Sequence, residues 1–546
     1  MGETMTNWNF AQIFAAVAAR VPDRPCQIQG DRVITWREFD QRTTSLAADL
    51  LAKGVSHQSK LACYLYNSPE YMEAMTAAFK AEMAPVNTNY RYGADEIIYL
   101  FDNADAEAVV FHAAFTELLQ QVRKRLPKVR CWYVVADETG AGPDWATPYE
   151  AVATAGRVIP EPRVDPGGDD LLLLYTGGTT GMPKGVMWRQ DDLFNVLGAG
   201  GSPIIGTAPA TDVDDLVSRI DPSLPIGPVT LVACPLMHGT GQFSAINTMT
   251  AGGCIVTLTN RKFDIDELLS TVDRRRVNGV IIVGQAFAGP MLEQLQAFPD
   301  RYDLSTVGLI TSSGVMWSQE NKSGLLEFMP QSILFDSFGS SEAVGMGASF
   351  SAKGAPQQTA QFQTGPNCAV FDEFGERVDP GSGDSGVVAV GGFIPLGYYK
   401  DEAKTAQTFR TYEGRRWSVP GDFARVNEDG TLHLLGRGSV CINTGGEKVF
   451  PEEVEEALKT HPDVRDAVCV GLPDPRFGEL ICAVVEPEDG QNPDLATLSA
   501  HVRLHLADYK APRRMVTVPS ILRAPNGKVD YKRLKALAIA ETATVG

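Results

Sequence analysis

The chain has 546 residues, 44% of them hydrophobic and 21% charged, with 67 acidic against 48 basic side chains and a formal net charge of −19. At ~100–200 residues per domain this is room for several domains or one large enzyme-sized unit. The composition excludes a disordered or fibrous chain, and the acidity argues against general coating of DNA or RNA.

No apolar run reaches the ~18 residues of a membrane span. The start, MGETMTNWNF, lacks the basic region and apolar core of a secretory signal. Its fit to a myristoylation template, Met1-Gly2 with Thr6, is a cheap six-position match. A soluble, cytoplasmic enzyme is the expectation.

Along the chain, residues 14–20 have helical spacing, 61–65 read as a short apolar strand, and 71–80 read as a helix again. Residues 109–111 and 132–135 add two short strands. This alternation predicts an α/β fold with a mostly parallel sheet. Residues 160–168 read as a linker feeding a buried strand at 171–174. The stretch 198–228 is loose and rich in Gly, Pro and Asp, with one helical turn expected at 214–220.

From residue 437 onward, ~110 residues have the size of a small domain. Here 452–459 reads as a helix with Pro451 in its first turn. Strands are expected at 467–470, 481–485 and 515–518, and a second helix at 495–506. The organisation predicted is a large domain over 1–436 and a small α+β module over 437–546. Between Arg503 and Lys535 stand nine basic residues against Asp508 and Asp530, which reads either as a solvated basic face or as an anion site.

Nine cysteines are scattered with no C-x₂-C spacing, so zinc ribbons and thioredoxin-type sites are excluded and free buried thiols are expected. His501 and His505 lie four apart on an expected helix, but no H-E-x-x-H pattern accompanies them. A solvated helix face is the better reading.

Directly after the strand at 171–174 comes YTGGTTGMPKG (175–185). Its glycines permit turns that aim successive backbone amides at one anion, and its hydroxyls and single lysine complete a phosphate-binding surface. Pro183 before Lys184 and Gly185 after it exclude a Walker loop, and no G-x-G-x-x-G is present there.

This run resembles the signature of the adenylate-forming enzymes, which include acyl-CoA synthetases, peptide-synthetase adenylation domains and beetle luciferases. Further segments extend the resemblance in order over nearly all of the chain. PLMHG (235–239) is similar to the segment bordering the acyl pocket. Ser313-Gly314-Val315 and DSFGSSE (336–342) are similar to the adenine-site segments. PGD (420–422) resembles the ribose-binding turn, Gly436-Arg437 the opening of the hinge, and PNGK (525–528) the C-terminal lysine motif.

The resemblance implies a large AMP-binding domain with a small mobile lid hinged near Ser439. It implies ATP, Mg²⁺ and coenzyme A as reactants and cofactor. ATP would be held by Thr176, Gly177, Gly178, Thr179, Thr180, Gly181 and Lys184, and by Ser313, Gly314 and Val315. Asp336, Ser337, Phe338, Gly339, Ser340 and Ser341 would border the adenine, Phe338 stacking where the family often has tyrosine. Asp422 would accept from both ribose hydroxyls, and Arg437 would bridge ribose and α-phosphate.

Glu342 and the Thr176 hydroxyl would share Mg²⁺. Lys528 would neutralise the attacking carboxylate and the α-phosphate where the two anions meet, and His238 would edge the acyl pocket. Gly445, Gly446, Glu447 and Lys448 would line the path of the coenzyme A thiol arm. Ser439 and Asn443 depart from the residues common in the family's hinge.

The activity implied is an AMP-forming acyl-CoA synthetase, acting through an acyl-adenylate. The pocket borders at 236–244, 284–289 and 315–317 are apolar with many small residues, which suggests a medium or long-chain or bulky acid. Residues 198–228 and GRGSVCINTGGEK (436–448) are similar to bacterial fatty-acid ligases of the branch that includes steroid side-chain activators.

An aryl or small-acid CoA ligase, or an adenylate-forming enzyme with another acceptor, stays open. A peptide-synthetase domain would be followed by a carrier domain, whereas the chain runs 18 residues past Lys528. No residue signals the oxygen chemistry of a luciferase, and Glu342, Asp422 and Lys528 together argue against a non-catalytic sensor. Small molecules, not nucleic acids, are the expected partners, with a homodimer left open.

Overall fold

Short β-branched runs alternating with amphipathic helices fold as two parallel sheets, each covered by helices. The computed structural model describes residues 7–159, 167–176, 182–202, 206–314, 317–354, 361–365, 367–440, 442–444, 447–474, 478–506, 508–524 and 529–543. The chain divides into two units. The first holds Met1–Gly345, Phe350–Gln357 and Gly391–Ser418, and the second holds Met346–Ser349, Gln358–Val390 and Val419–Gly546.

In the first unit, one sheet runs in the order Thr147–Pro148, Cys131–Val135, Ala106–His112, Lys60–Tyr64, Ala84–Asn87, Leu171–Thr176, Lys184–Arg189 and Gly397–Tyr398. All neighbours are parallel until Leu171–Thr176, after which Lys184–Arg189 and Gly397–Tyr398 turn antiparallel. Lys60–Tyr64 is buried along its whole length, as a central parallel strand covered on both faces must be.

The second sheet orders Arg32–Thr35, Pro25–Gln29, Cys254–Thr257, Val229–Val232, Gly279–Ile282, Leu309–Ser313, Ile333–Ser340 and Ala343–Ser351. Arg32–Thr35 runs antiparallel to Pro25–Gln29, and the neighbours from Pro25–Gln29 through to Ile333–Ser340 are parallel. The loose stretch expected at 198–228 contains the helix Val213–Ser218, capped by Asp212. Arg20 and Arg24 hold it down by donating to the carbonyls of Ile220 and Leu224 at 3.1 and 2.8 Å. The linker expected at 160–168 lies largely outside the described residues.

The second unit contains an antiparallel array that the sequence reading did not anticipate. Gln361–Phe362 pairs with Leu432–Arg437, Leu432–Arg437 with Asp422–Val426, Asp422–Val426 with Ser385–Val390, and Ser385–Val390 with Cys368–Phe371. Its signal was present in the turn-forming DEFGE, PGSGD and NEDG segments that punctuate short apolar runs.

A smaller sheet follows in the order Glu447–Val449, Ile442–Thr444, Gly478–Pro487 and Val464–Asp474, with Arg514–Thr517 parallel to Gly478–Pro487. Period-two alternation divides its side chains. Ala467, Cys469, Ile481 and Ala483 pack with helices Pro451–Lys459 and Leu495–His505, whereas Val468, Val470, Cys482 and Val484 pack with Leu534 and Ala538 of Tyr531–Ala543. The eight described cysteines are free thiols.

One buried side chain ties the layers of the first unit together. Asn87, at the end of Ala84–Asn87, donates its amide to the carbonyls of Tyr175 and Met237 at 2.8 and 2.7 Å and accepts from the Tyr175 N–H. Asn87→Ala strips three buried backbone groups of their partner, at about 1–3 kcal/mol for each group left unsatisfied. Chemical denaturation should show a lowered midpoint at unchanged slope; an unaltered midpoint would mean that the amide is dispensable.

Candidate functional site

The glycine-rich run is the connection of a hairpin. Leu171–Thr176 pairs with Lys184–Arg189 in a register that sets Thr176 opposite Lys184 and Tyr175 opposite Gly185. Gly177, Gly178, Thr179, Thr180 and Gly181 lie outside the described residues, and Thr176 is half-buried. Gly185 has to be glycine because a Cβ there would meet the Tyr175 ring at 2.6 Å. That ring is fixed in turn by its hydroxyl, which donates to Asn103 Oδ1 at 2.6 Å.

Lys184 points its ammonium at Asp401 Oδ2, 2.6 Å away, and the partnership holds the Asp401 carboxyl below its usual range.

The carboxyl ends of the second parallel sheet gather the other candidates of the first unit. A crevice at the carboxyl ends of such strands is where open α/β sheets bind ligands. His238 follows Val229–Val232 and precedes the helix Gly239–Thr250. Asn67 holds the segment before it, donating to Cys234 O at 2.9 Å and accepting from Leu236 N at 2.8 Å.

Gly284 follows Gly279–Ile282 with φ +51, and its N–H donates to the buried Ser312 hydroxyl at 2.9 Å. Ser313 ends Leu309–Ser313, Gly314 turns at φ +87, and Val315 lies outside the described residues. Ser337, Phe338, Gly339 and Ser340 are half-buried at the end of Ile333–Ser340.

Asp336 is engaged inside the protein. It forms an ion pair with the buried Lys322 and accepts from the Trp317 indole, and burial raises its pKa despite those partners. What this segment leaves half-exposed is therefore carried by Ser337, Phe338 and Ser340.

Ser341 and Glu342 sit at the tip between Ile333–Ser340 and Ala343–Ser351, anchored from three sides. Trp188 Nε1 donates to Ser341 O at 3.0 Å, Ser418 Oγ donates to Glu342 O at 2.6 Å, and the Tyr398 hydroxyl donates to Glu342 Oε1 at 2.7 Å. Trp188 belongs to the same strand as Lys184, so the tip is tied to the hairpin strand. A half-exposed carboxylate and the Thr176 hydroxyl are hard oxygen donors of the kind Mg²⁺ accepts, and the residues fit that ion.

The small residues of the expected pocket border are not equivalent. A Cβ on Gly241 would meet the Pro235 carbonyl at 2.6 Å, so backbone packing demands that glycine, and Ala288 is fully buried. Gly239 and Gly289 have looser surroundings, with nearest atoms at 3.3 and 3.5 Å.

In the second unit, Asp422 and Arg437 are cross-strand neighbours in register, and Asp422 is buried. Gly421, at φ +102, accepts from Gly438 N at 3.0 Å. The hinge segment is packed tightly: a Cβ on Gly436 would strike the Glu452 carboxylate and one on Gly438 the Phe423 ring. Ser439 lies in the short turn Gly438–Val440.

Thr444 stands opposite Glu447 and Asn443 opposite Lys448 across a hairpin. Gly445 and Gly446, between those strands, lie outside the described residues, as does Lys528. The chain on either side of 525–528 is held by buried polar contacts. Arg523 pairs with Asp466 at 2.6 Å, and the Tyr531 hydroxyl donates to the fully buried Glu455 at 3.1 Å. Burial raises the Glu455 pKa.

The basic run between Arg503 and Lys535 is largely engaged within its own unit. Arg503 pairs with Asp508, Lys510 with Glu453, Arg523 with Asp466 and Lys535 with Glu479. The rings of His501 and His505 lie 4.9 Å apart with His461 alongside, and no group of three His, Cys, Asp or Glu among the described residues is placed to hold a metal.

Asn67, Asn87, Trp188, Tyr398 and Ser418 are supporting residues that the sequence reading missed. Single polar residues at strand ends carry no spacing pattern, and only the fold shows which carbonyl or carboxylate each one meets.

The sequence profile of the AMP-binding enzyme family matches residues 14–399, and that of the AMP-binding enzyme C-terminal domain matches residues 453–528. A medium/long-chain-fatty-acid–CoA/3-oxocholest-4-en-26-oate–CoA ligase of Mycolicibacterium smegmatis is 40% identical, with 96% of each chain covered. The medium-chain acyl-CoA ligase Mig of Mycobacterium avium is 38% identical over 99% of this chain and 100% of its own. The crystal structure of the anthranilate CoA ligase AuaEII in complex with anthranoyl-AMP has the same fold, with a TM-score of 0.82, 20% identity and 99% of both chains covered. With the two profiles together spanning most of its length, the chain belongs to the family of AMP-binding enzymes.

Proposed function

We propose that this enzyme is an AMP-forming acyl-CoA synthetase whose acid is a medium or long-chain fatty acid or a steroid side-chain acid. The observation that carries the reading is Glu342, whose carboxylate accepts from Tyr398 and whose backbone carbonyl accepts from Ser418, next to Ser341, whose carbonyl is tied through Trp188 to the strand that bears the phosphate-loop lysine. The names of the mycobacterial relatives, at about two-fifths identity over nearly the whole chain, support the substrate class. Acid, ATP and coenzyme A are the small-molecule reactants. Among the described residues no helix is long and apolar enough to cross a membrane, which accords with a cytoplasmic location.

The chemistry follows from charge. The acid's carboxylate attacks the α-phosphorus of ATP, pyrophosphate leaves, and the coenzyme A thiol then attacks the acyl carbon of the mixed anhydride to release AMP. Two anions must meet in the first half, and fixed cations do more there than any general base. Lys184 and the loop amides take the phosphates, Asp422 takes the ribose hydroxyls with Arg437 beside it, and Lys528 meets the α-phosphate. Glu342 and Thr176 would hold Mg²⁺, which when bound would supply further charge neutralisation on the phosphate oxygens.

His238 edges the acyl carboxylate. In the second half the segment 437–546 turns about Ser439, and Gly445, Gly446, Glu447 and Lys448 border the thiol arm. Pyrophosphate release measured with and without coenzyme A, over acids from short to long chain and a steroid carboxylate, tests the whole reading. Activity confined to acetate or aryl acids would overturn the substrate class.

Asp422→Ala should raise KM for ATP, because two hydrogen bonds to a carboxylate, each of about 1.5–3 kcal/mol, are lost together. An unchanged KM would remove Asp422 from the ribose site.

Lys528→Ala should abolish adenylate formation from ATP and spare thioester formation from supplied acyl-adenylate, whereas Gly446→Leu should do the reverse. The two effects have to separate if each residue acts in only one of two exclusive conformations. Equal loss of both half-reactions in both folded variants would refute the rotation.

A further inference from the structure

The four residues from Tyr398 to Asp401 are all engaged by side chain. The Tyr398 hydroxyl donates to Glu342, the Tyr399 hydroxyl donates to Asp105 at 2.8 Å, Lys400 pairs with Asp105 at 2.6 Å, and Asp401 pairs with Lys184. This strap is itself fixed to the phosphate-loop hairpin. Gly397 and Tyr398 pair with Met187 and Val186, and Tyr399 N donates to Gly185 O at 2.8 Å.

At its far end Asp401 caps the helix Glu402–Thr408, accepting from Lys404 N at 2.9 Å. At its near end Gly397, at φ +143, lies so close to Thr405 that a Cβ would meet that side chain at 2.5 Å.

A glutamate at a hairpin tip has three rotatable side-chain bonds, and anchoring its backbone does not orient its carboxylate. Ser418 and Trp188 reach only backbone carbonyls, so the orientation rests on the phenol. The Tyr398 ring is buried and packs edge-on against Phe409 at 6.0 Å between centroids, which leaves its hydroxyl little freedom to move. One carboxylate oxygen, Oε1, is thereby held, and Oε2 makes no hydrogen bond among the described residues. That is the arrangement in which an outer partner orients an oxygen ligand and tunes its affinity for a metal.

We propose that Tyr398 is a positioning residue that sets the Glu342 carboxylate for the divalent cation of metal–ATP, in register with the phosphate-loop strand on which its own backbone is paired. This rests on Glu342 being the metal ligand, as proposed above. Outer-shell partners of metal ligands typically contribute 10–100-fold to metal affinity.

The test is Tyr398→Phe in the full-length enzyme, which keeps the ring and removes only the hydroxyl. Mn²⁺·ATP binding is followed without the acid by water-proton relaxation, and the Mg²⁺ dependence of adenylate formation is measured alongside. The expected result is Mn²⁺·ATP affinity weaker by about tenfold or more, with a matching rise in the Mg²⁺ concentration for half-maximal rate and a much smaller change in kcat at saturating Mg²⁺.

Glu342→Gln is measured in parallel. If it weakens Mn²⁺·ATP binding while Tyr398→Phe stays within about twofold of wild type, well short of the tenfold expected from an outer-shell partner, the positioning role is refuted and the ligand role stands. If neither variant changes Mn²⁺·ATP binding, the ligand role itself fails. Should Tyr398→Phe not fold, Phe409→Leu, which loosens the packing that holds the phenol and leaves Glu342 untouched, should weaken Mn²⁺·ATP binding in the same direction, and unchanged binding would refute the positioning role.

Discussion

Asn87 gives its side-chain amide to two carbonyls that belong to different parts of the candidate site. One is Tyr175, two residues before the glycine-rich run, and the other is Met237, next to His238. A buried carbonyl must find a donor or destabilise the fold, so the strand before the glycine-rich run and the segment before His238 are held to each other through one amide. Asn67 repeats the device one strand away, bridging Cys234 O and Leu236 N. The two sheets of the first unit are thus joined by amide side chains at the carboxyl ends of their strands.

Electrostatics act against the chain's overall sign. At −19 the protein is acidic, yet its chemistry brings a carboxylate to a polyphosphate. Local placement resolves this more than net charge does. Lys184 is held by Asp401, whose second oxygen caps a helix, so the lysine's partner cannot wander. The basic tail is a weaker resource than its count suggests, because Arg503, Lys510, Arg523 and Lys535 already have carboxylate partners in the same unit. Two of those pairs serve the fold: Lys510–Glu453 is buried, and Arg523–Asp466 fixes the chain ahead of the lysine motif.

What could be read from the sequence followed from patterns that are local in the chain. The strand at 171–174 and the run after it were legible because an apolar stretch, a glycine cluster and one lysine fall within fifteen residues, and the helix at 452–459 because Pro451 marks its first turn. The antiparallel array around Asp422 was not read, although its strands are short and its turns are rich in glycine and aspartate, because no long alternation announces it. The supporting residues were illegible for a different reason. Tyr398 and Glu342 are 56 positions apart, and Asn87 and Met237 are 150 apart, so each contact exists only after the sheets have formed.

Glycine shows how one sequence feature carries two physical meanings. Gly239, Gly241 and Gly289 all read as room for a large acid, yet a Cβ on Gly241 would run into the Pro235 carbonyl and one on Gly239 would press on the Phe243 ring at 3.3 Å, whereas one on Gly289 would make only an ordinary contact with the Gln285 side chain at 3.5 Å. The same division separates Gly436 and Gly438 from Gly421. Gly436 and Gly438 are pressed against Glu452 and Phe423, whereas Gly421 needs its positive φ and has nothing near its missing side chain. Small residues demanded by packing change little between substrates, because enlarging them displaces backbone. Small residues with slack, such as Gly289, are the ones that can take a larger side chain without displacing backbone.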